Sequence, residues 1–266
     1  MTFAPGSLSA TIPKRLWIYT NFDCNLSCSY CLSSSSPATP RRALPLYAYQ
    51  TLIDEAASEG FEDVFLTGGE PFLMPDIFER IAYALDRASV TVLTNGLLLR
   101  DERLERLLAL RGERLTLQVS LDGHLPELHD AYRGTGTWRH TVRAIECLLE
   151  HGFNVSIGAT GTPANQAFEL ELRTFVAGLG VPEERFFMRP LTRTGVSREG
   201  LDLQPEGLVP ELTVTVDGVF WHPQAGGAAH LLSRSYTPLR PALDLIQATY
   251  QRLLAGGPRP QVYRCA

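Results

Sequence analysis

From residue 16 onward, short apolar or β-branched runs alternate with longer stretches of helical spacing, and no other feature limits the possible folds as much. The spacing predicts strands over Leu16–Thr20, Val64–Thr67, Val90–Thr94, Leu115–Ser120, Asn154–Ala159 and Arg185–Arg189. Between them it predicts helices over Leu46–Glu59, Pro75–Arg87, Asp101–Leu110, Thr137–His151 and Asn165–Gly178. Asp101 reads as an N-cap, Pro75 as a first-turn residue, and Gly60 and Gly152 as C-caps. Strands separated by helices run parallel with right-handed crossovers. Six such units wind into an open doubly wound sheet or an incomplete barrel, and periodicity leaves both open. Beyond them, residues 191–210 form a Gly/Pro-containing connector, and Leu212–Trp221 alternates around Asp217-Gly218 as a β-hairpin does. A last helix is expected from about Pro241 to Leu254.

At 266 residues the chain fits one α/β unit of barrel size or two small domains. With 44% hydrophobic and 20% charged residues it has the means to bury a core, which excludes global disorder. The net charge of −5 exerts no overall pull on phosphate backbones or anionic membranes, so neither nucleic acid nor membrane is an expected partner. No run approaches the roughly 18 apolar residues of a membrane span. The first fifteen residues place their charges last and lack an apolar h-region, so no secretory signal is read and a cytoplasmic location is expected.

In parallel βα folds the reactive groups gather just past the C-terminal ends of the strands. Here those positions hold Asn21 and a cysteine cluster, then Gly68-Gly69-Glu70-Pro71, Asn95-Gly96, Ser120 with Asp122-Gly123, and Thr160. The cysteines read Cys24-Asn-Leu-Ser-Cys28-Ser-Tyr-Cys31, a C-x3-C-x2-C spacing that lets three thiolates face one centre from a single loop. Three chemistries are open. An iron–sulfur cluster on three thiolates keeps one iron free for chemistry; zinc needs a fourth ligand, for which a distant histidine such as His222 is the candidate; or the cysteines are simply packed. Cys147, inside a helical stretch, is expected in the core.

With Tyr30 beside the last cysteine and Gly68-Gly69-Glu70-Pro71 on the next strand end, the chain resembles the radical S-adenosylmethionine (radical SAM) superfamily over about residues 14–191. The resemblance implies an α/β partial (βα)6 barrel over residues 16–191. It would be preceded by an extension over 1–15 and followed by a hairpin-plus-helix extension over 192–266. It also implies a [4Fe-4S] cluster on Cys24, Cys28 and Cys31, with S-adenosylmethionine (SAM) chelating the open iron. Gly68, Gly69 and Glu70 would receive the SAM amino group, and Asn95, Ser120 and Asp122 would approach its methionyl or ribose groups. Arg133 would face its carboxylate, and Tyr30 would pack over the cluster and meet the adenine. Asn-Gly and Asp-Gly turns are the competing reading for Asn95 and Asp122; for Arg133 it is a solvated loop arginine. The implied activity is reductive cleavage of SAM to a 5′-deoxyadenosyl radical that abstracts hydrogen from substrate, fed by a low-potential donor of flavodoxin or ferredoxin type.

Ser120-Leu-Asp-Gly, His129-Asp130 with Arg133-Gly134, and Arg189-Pro-Leu followed by Gly195 resemble the branch that matures peptides and related natural products. That branch often ends in a cysteine-rich SPASM extension holding auxiliary clusters. Here His222-Pro223 stands where a cysteine is expected, and no cysteine occurs between Cys147 and Cys265. The departure removes cysteine-ligated auxiliary clusters and favours a redox-neutral reaction, or one that re-reduces the product radical, over a net oxidation. Cys265 is a candidate hydrogen donor if the tail folds over the barrel mouth. His222, Trp221, Arg189 and Arg193 are candidates for the substrate pocket. A peptide substrate would call for a separate recognition protein or a very small binding surface, whereas a small natural product would need neither. The alternative function is a non-catalytic module in which the Cys24/Cys28/Cys31 loop holds zinc or a redox-sensing cluster.

Overall fold

The computed structural model describes residues 11–204, 207–224 and 230–256. Six parallel strands, β1 (Arg15–Asn21), β2 (Asp63–Gly68), β3 (Ser89–Thr94), β4 (Leu115–Ser120), β5 (Asn154–Gly161) and β6 (Phe186–Pro190), stand side by side in chain order. A doubly wound sheet reverses its strand order at a switch point. This sheet does not reverse between β1 and β6, so every crossover turns the same way and the helices line one face. The result is the incomplete barrel, and the open-sheet alternative is set aside.

Both faces of the strands are buried, as the near-continuous apolar runs require. Leu16, Ile18, Val64, Leu66, Val90 and Val92 pack outward against the helices. The alternate residues Trp17 and Phe65 face inward with Leu93, the two rings stacked at 4.4 Å. The helices are α1 (Leu46–Ser58), α2 (Ile77–Leu85), α3 (Asp101–Leu108), α4 (Pro126–Arg133), α5 (Thr137–Glu150), α6 (Glu169–Gly178) and α7 (Arg240–Gly256). Each of the longer ones buries an i, i+3, i+4 stripe; in α2 this is Ile77, Phe78, Ile81 and Ala84.

Several local expectations change. Asp101 is the first residue of α3, with a left-handed φ of 51° and no capping hydrogen bond; Arg100 holds the cap position. Pro75 precedes α2, whose cap position is Asp76. Gly60 and Gly152 do end their helices with φ of 76° and 72°. Helix α4 is too short and polar to register as periodicity. Cys147 is half-buried on α5 rather than in the core, its Sγ 3.7 Å from His151 Nδ1.

The hairpin forms where alternation placed it, as β7 (Thr213–Thr215) and β8 (Gly218–Phe220), with β9 (Leu231–Ser233) added outside. Its unforeseen feature is that β7 pairs in parallel with β1, Trp17 opposite Thr213 and Ile18 opposite Val214. The extension therefore continues the barrel sheet past its first strand. Helix α7 packs Leu243, Ile246 and Tyr250 into the core. Its start is tied to α1, where Leu239 N–H donates to Glu55 Oε2 at 2.6 Å.

His222, just past β8, is 1% exposed, and burial lowers its pKa to about 3. An unfolded histidine titrates near 6.5, so below that pH the unfolded chain takes up a proton that the fold refuses. Stability is then lost as pH falls, by about 2 kcal/mol between pH 6.5 and 5 for this one group. His222→Asn keeps an acceptor for the Gln224 N–H, which meets His222 Nδ1 at 3.2 Å. Denaturant unfolding at pH 7 and 5 is expected to show the native protein losing about 2 kcal/mol more than this variant. Parallel losses would refute the assignment; slopes from other groups cancel in the comparison.

Candidate active site

The C-terminal ends of the strands open into a solvent-connected cavity of about 110 Å³. Cys24, Cys28 and Cys31 line it together with Tyr30, Gly68, Gly69, Asn95, Ser120 and Arg133. With Arg189, which also lines it, ten of the candidates read from the sequence share one space. Glu70 and Asp122 stand behind its wall, and Cys265 lies outside the described residues.

The cysteine loop begins where β1 breaks register between Tyr19 and Asn21, which turns the chain inward. Backbone bonds then pin it. Cys24 N–H donates to Ser36 O, Cys31 N–H to Cys28 O at 3.1 Å, and Ser29 N–H to Tyr132 O at 2.9 Å. Two sulfurs already receive amide protons: Leu26 N–H points at Cys24 Sγ (3.4 Å) and Ser35 N–H at Cys31 Sγ (3.3 Å). Such bonds stabilise thiolates and tune clusters. Burial pushes the Cys24 thiol up to about 12, with Glu70 and the other two thiols adding to the rise. Ionising it calls for the positive charge of a bound metal group.

The thiols feel one another's charge. Yet among the described residues no three His, Cys, Asp or Glu side chains come close enough to share a single ion. All three thiols border the same cavity. His222, the candidate fourth zinc ligand, lines a neighbouring chamber instead.

Gly68 and Gly69 are imposed by packing. A Cβ on Gly69 would lie 2.0 Å from Asp23 O, and one on Gly68, whose φ is +134°, 2.3 Å from Asn21 O. This approach lets Gly69 N–H reach Asn21 O at 2.8 Å and Glu70 N–H reach Asp23 O at 3.0 Å, fastening the start of the cysteine loop to β2.

Glu70, the expected partner of an ammonium, is bonded within the protein through both carboxylate oxygens. Oε1 accepts from Phe72 N–H (3.1 Å) and Thr94 Oγ1 (2.8 Å), and Oε2 from Asn95 N–H (2.9 Å). Burial raises its pKa to about 7 against these bonds. Asn95 in turn donates from Nδ2 to Asn25 Oδ1 at 2.8 Å, so Glu70 holds Asn95 and Asn95 holds the cysteine loop.

Asp122, fully buried, is the other hub. Its Oδ2 takes Arg133 Nε at 2.6 Å and the Tyr30 hydroxyl, and its Oδ1 takes Thr160 N–H at 2.9 Å. Despite the cost of burial, the Arg133 guanidinium holds this carboxyl below the usual range. Arg133 comes from α4, reaches the cavity with its guanidinium 5.4 Å from the Tyr30 ring centre, and is not a solvated loop residue.

Residues 18–171 match the radical SAM superfamily. The chain belongs to this superfamily. Its members use S-adenosylmethionine and an iron–sulfur cluster. The chain is 36% identical over 183 residues to the AdoMet-dependent heme synthase of Methanosarcina barkeri, covering 66% of this chain and 51% of that one. It is 35% identical over 174 residues to the mycofactocin maturase MftC of Mycobacterium tuberculosis, covering 65% and 44%. It thus spans about half the length of the curated relatives it matches. Among solved structures, Streptococcus suis SuiB bound to S-adenosylmethionine superimposes with a TM-score of 0.62 at 22% identity, over 74% of this chain and 45% of that one. The same fold is seen in SuiB bound to its precursor peptide SuiA.

A second chamber of about 490 Å³ adjoins the first and shares Tyr19, Leu32, Ser33 and Pro223 with it. Arg193 and His222 line this chamber, and Arg189 lines the first. Trp221 lines neither: it is 2% exposed in the core, with Nε1 donating to Leu208 O. Sequence reasoning missed Asn25, Ser35 and Trp17. Asn25 and Ser35 lie inside a recognised loop, but nothing in their type signals a contact with Asn95 or Cys31.

Proposed function

We propose that this chain is a radical SAM enzyme acting on a peptide or small natural product. The observation that carries the proposal is the arrangement of three thiols from one loop around a cavity that also takes in Gly68, Gly69, Asn95, Ser120 and Arg133. A [4Fe-4S] cluster on Cys24, Cys28 and Cys31, with SAM on its open iron, would supply a 5′-deoxyadenosyl radical able to take hydrogen from a C–H bond. The protein's own part is orientation and exclusion of water. Arg133 offers the donors that Asp122 leaves free to a ligand carboxylate. Ser120 and the Gly68 and Gly69 backbone supply polar atoms at the strand ends, and Leu26, Leu32 and Leu93 keep the wall apolar. The peptide or natural-product class is supported by the maturase relative and by the shared fold of SuiB. A low-potential flavodoxin or ferredoxin would deliver the electron through the cysteine loop, whose Ser27 and Ser29 are exposed.

The test is anaerobic reconstitution, reduction in excess SAM, and mass-spectrometric detection of 5′-deoxyadenosine. The native protein is expected to form it, and Cys28→Ala to fall to the protein-free blank. A fully loaded cluster that yields none with or without candidate substrates would sink the catalytic reading. Zinc without iron in the purified protein would put the non-catalytic module in its place.

A further inference from the structure

The described cavity wall contains no Asp or Glu, and its only cationic side chains are Arg133 and Arg189. Arg133 is neutralised by Asp122 behind the wall. Arg189, near the end of β6, has no carboxylate within ion-pair distance among the described residues. It donates once there, from Nε to Thr160 Oγ1 at 3.2 Å. A guanidinium carries five N–H donors, so both terminal NH2 groups remain for a ligand. Its anchor is firm: Thr160 N–H is bound to Asp122 Oδ1 and Thr160 O accepts from Asn165 Nδ2 at 2.8 Å.

The cavity that Arg189 lines also takes in Trp17 and Tyr19, among Ser, Thr, Asn and Gln side chains. Trp17 is stacked on Phe65 and spends its Nε1–H on Glu211 Oε2 at 2.5 Å, while the Tyr19 hydroxyl donates to Pro223 O at 2.7 Å. With those polar ends committed inside the protein, the small part of each ring that meets the cavity, 2% of Trp17 and 7% of Tyr19 being exposed, is apolar. Among the described residues the cavity therefore presents one uncompensated positive charge, and apolar ring surface forms part of the same lining.

We infer that Arg189 binds a carboxylate of the substrate, whose apolar or aromatic body lies against Trp17 and Tyr19. The inference rests on the proposed function in placing substrate in this cavity. A planar two-oxygen anion matches the planar guanidinium through paired N–H bonds. One free positive charge balances a monoanion, whereas a phosphate dianion would remain half uncompensated.

The probes are 3-phenylpropionate and its uncharged isostere 3-phenylpropionamide, titrated calorimetrically into the SAM-loaded holoprotein. The acid is expected to bind about tenfold tighter than the amide, the scale of a charge-assisted hydrogen bond. Arg189→Gln should abolish this preference and Arg189→Lys retain part of it, with SAM affinity and the reduced-cluster EPR signal of both variants unchanged. Equal affinities, no saturation by either probe, or a preference that survives Arg189→Gln would overturn the inference. So would a loss of SAM affinity in Arg189→Gln, which would make Arg189 a cofactor contact. Failure of the proposed function reads differently: SAM would leave the EPR signal of the native cluster unmoved, and the acid-to-amide ratio would still decide the role of Arg189.

Discussion

Asp122→Ala is expected to cost about 3–5 kcal/mol of stability, the range for breaking a buried ion pair by removing one partner. The cause is what remains behind. Arg133, with a side chain 8% exposed, would keep its charge without a counter-ion, and the Tyr30 hydroxyl and the Thr160 N–H would lose their acceptor. Asp122→Asn is milder, because an amide oxygen still serves one of these donors while the charge is lost. At roughly 2–4 °C per kcal/mol for a chain of this size, the alanine variant should melt about 10 °C lower. The variants should also bind SAM more weakly, since Arg133 and the Tyr30 stretch of the cysteine loop are held by the same carboxylate. Melting and SAM titration of both variants test this. An alanine variant within about 1 kcal/mol of the native protein would show that Arg133 finds another partner.

What could be read from residues alone follows from which interactions are local. The six strands and their helices were visible because their apolar periodicity is written over short windows. The choice of barrel over open sheet was not, because it depends on the order in which strands pair. The parallel contact of β7 with β1 joins Thr213 to Trp17 across nearly two hundred residues. In the site, the cysteine spacing and Gly68-Gly69 stood out because they are short motifs. The tasks of Glu70 and Asp122 did not. A carboxylate at a strand end reads as a ligand contact, and only the three-dimensional neighbours reveal that Phe72, Thr94 and Asn95 also bond to one, and Tyr30, Arg133 and Thr160 to the other. The residue types were right for the place and their partners were invisible.

Gly69→Ala should detach the cysteine loop from the barrel. The added methyl would lie 2.0 Å from Asp23 O and 2.6 Å from Asp23 C, both backbone atoms, so no side chain can swing away to admit it. Either the end of β2 or the entry to the loop must shift, and the bond from Glu70 N–H to Asp23 O stretches in both cases. Overpacking of this kind costs about 1–3 kcal/mol where neighbours can relax, and a rigid backbone obstacle puts this site at or above the upper end. Cys24 follows Asp23 directly, so iron retention after reconstitution should fall with stability. Gly178→Ala, at the end of α6 with open space around its Cβ position, is the matched control and should be neutral or stabilising by up to about 1 kcal/mol. If Gly69→Ala keeps native stability and iron but loses SAM, the glycine serves the ligand directly. If it loses stability and iron together, the missing side chain is what allows the cysteine loop to seat against β2, and the polar backbone there reaches the cavity as a consequence of that seating.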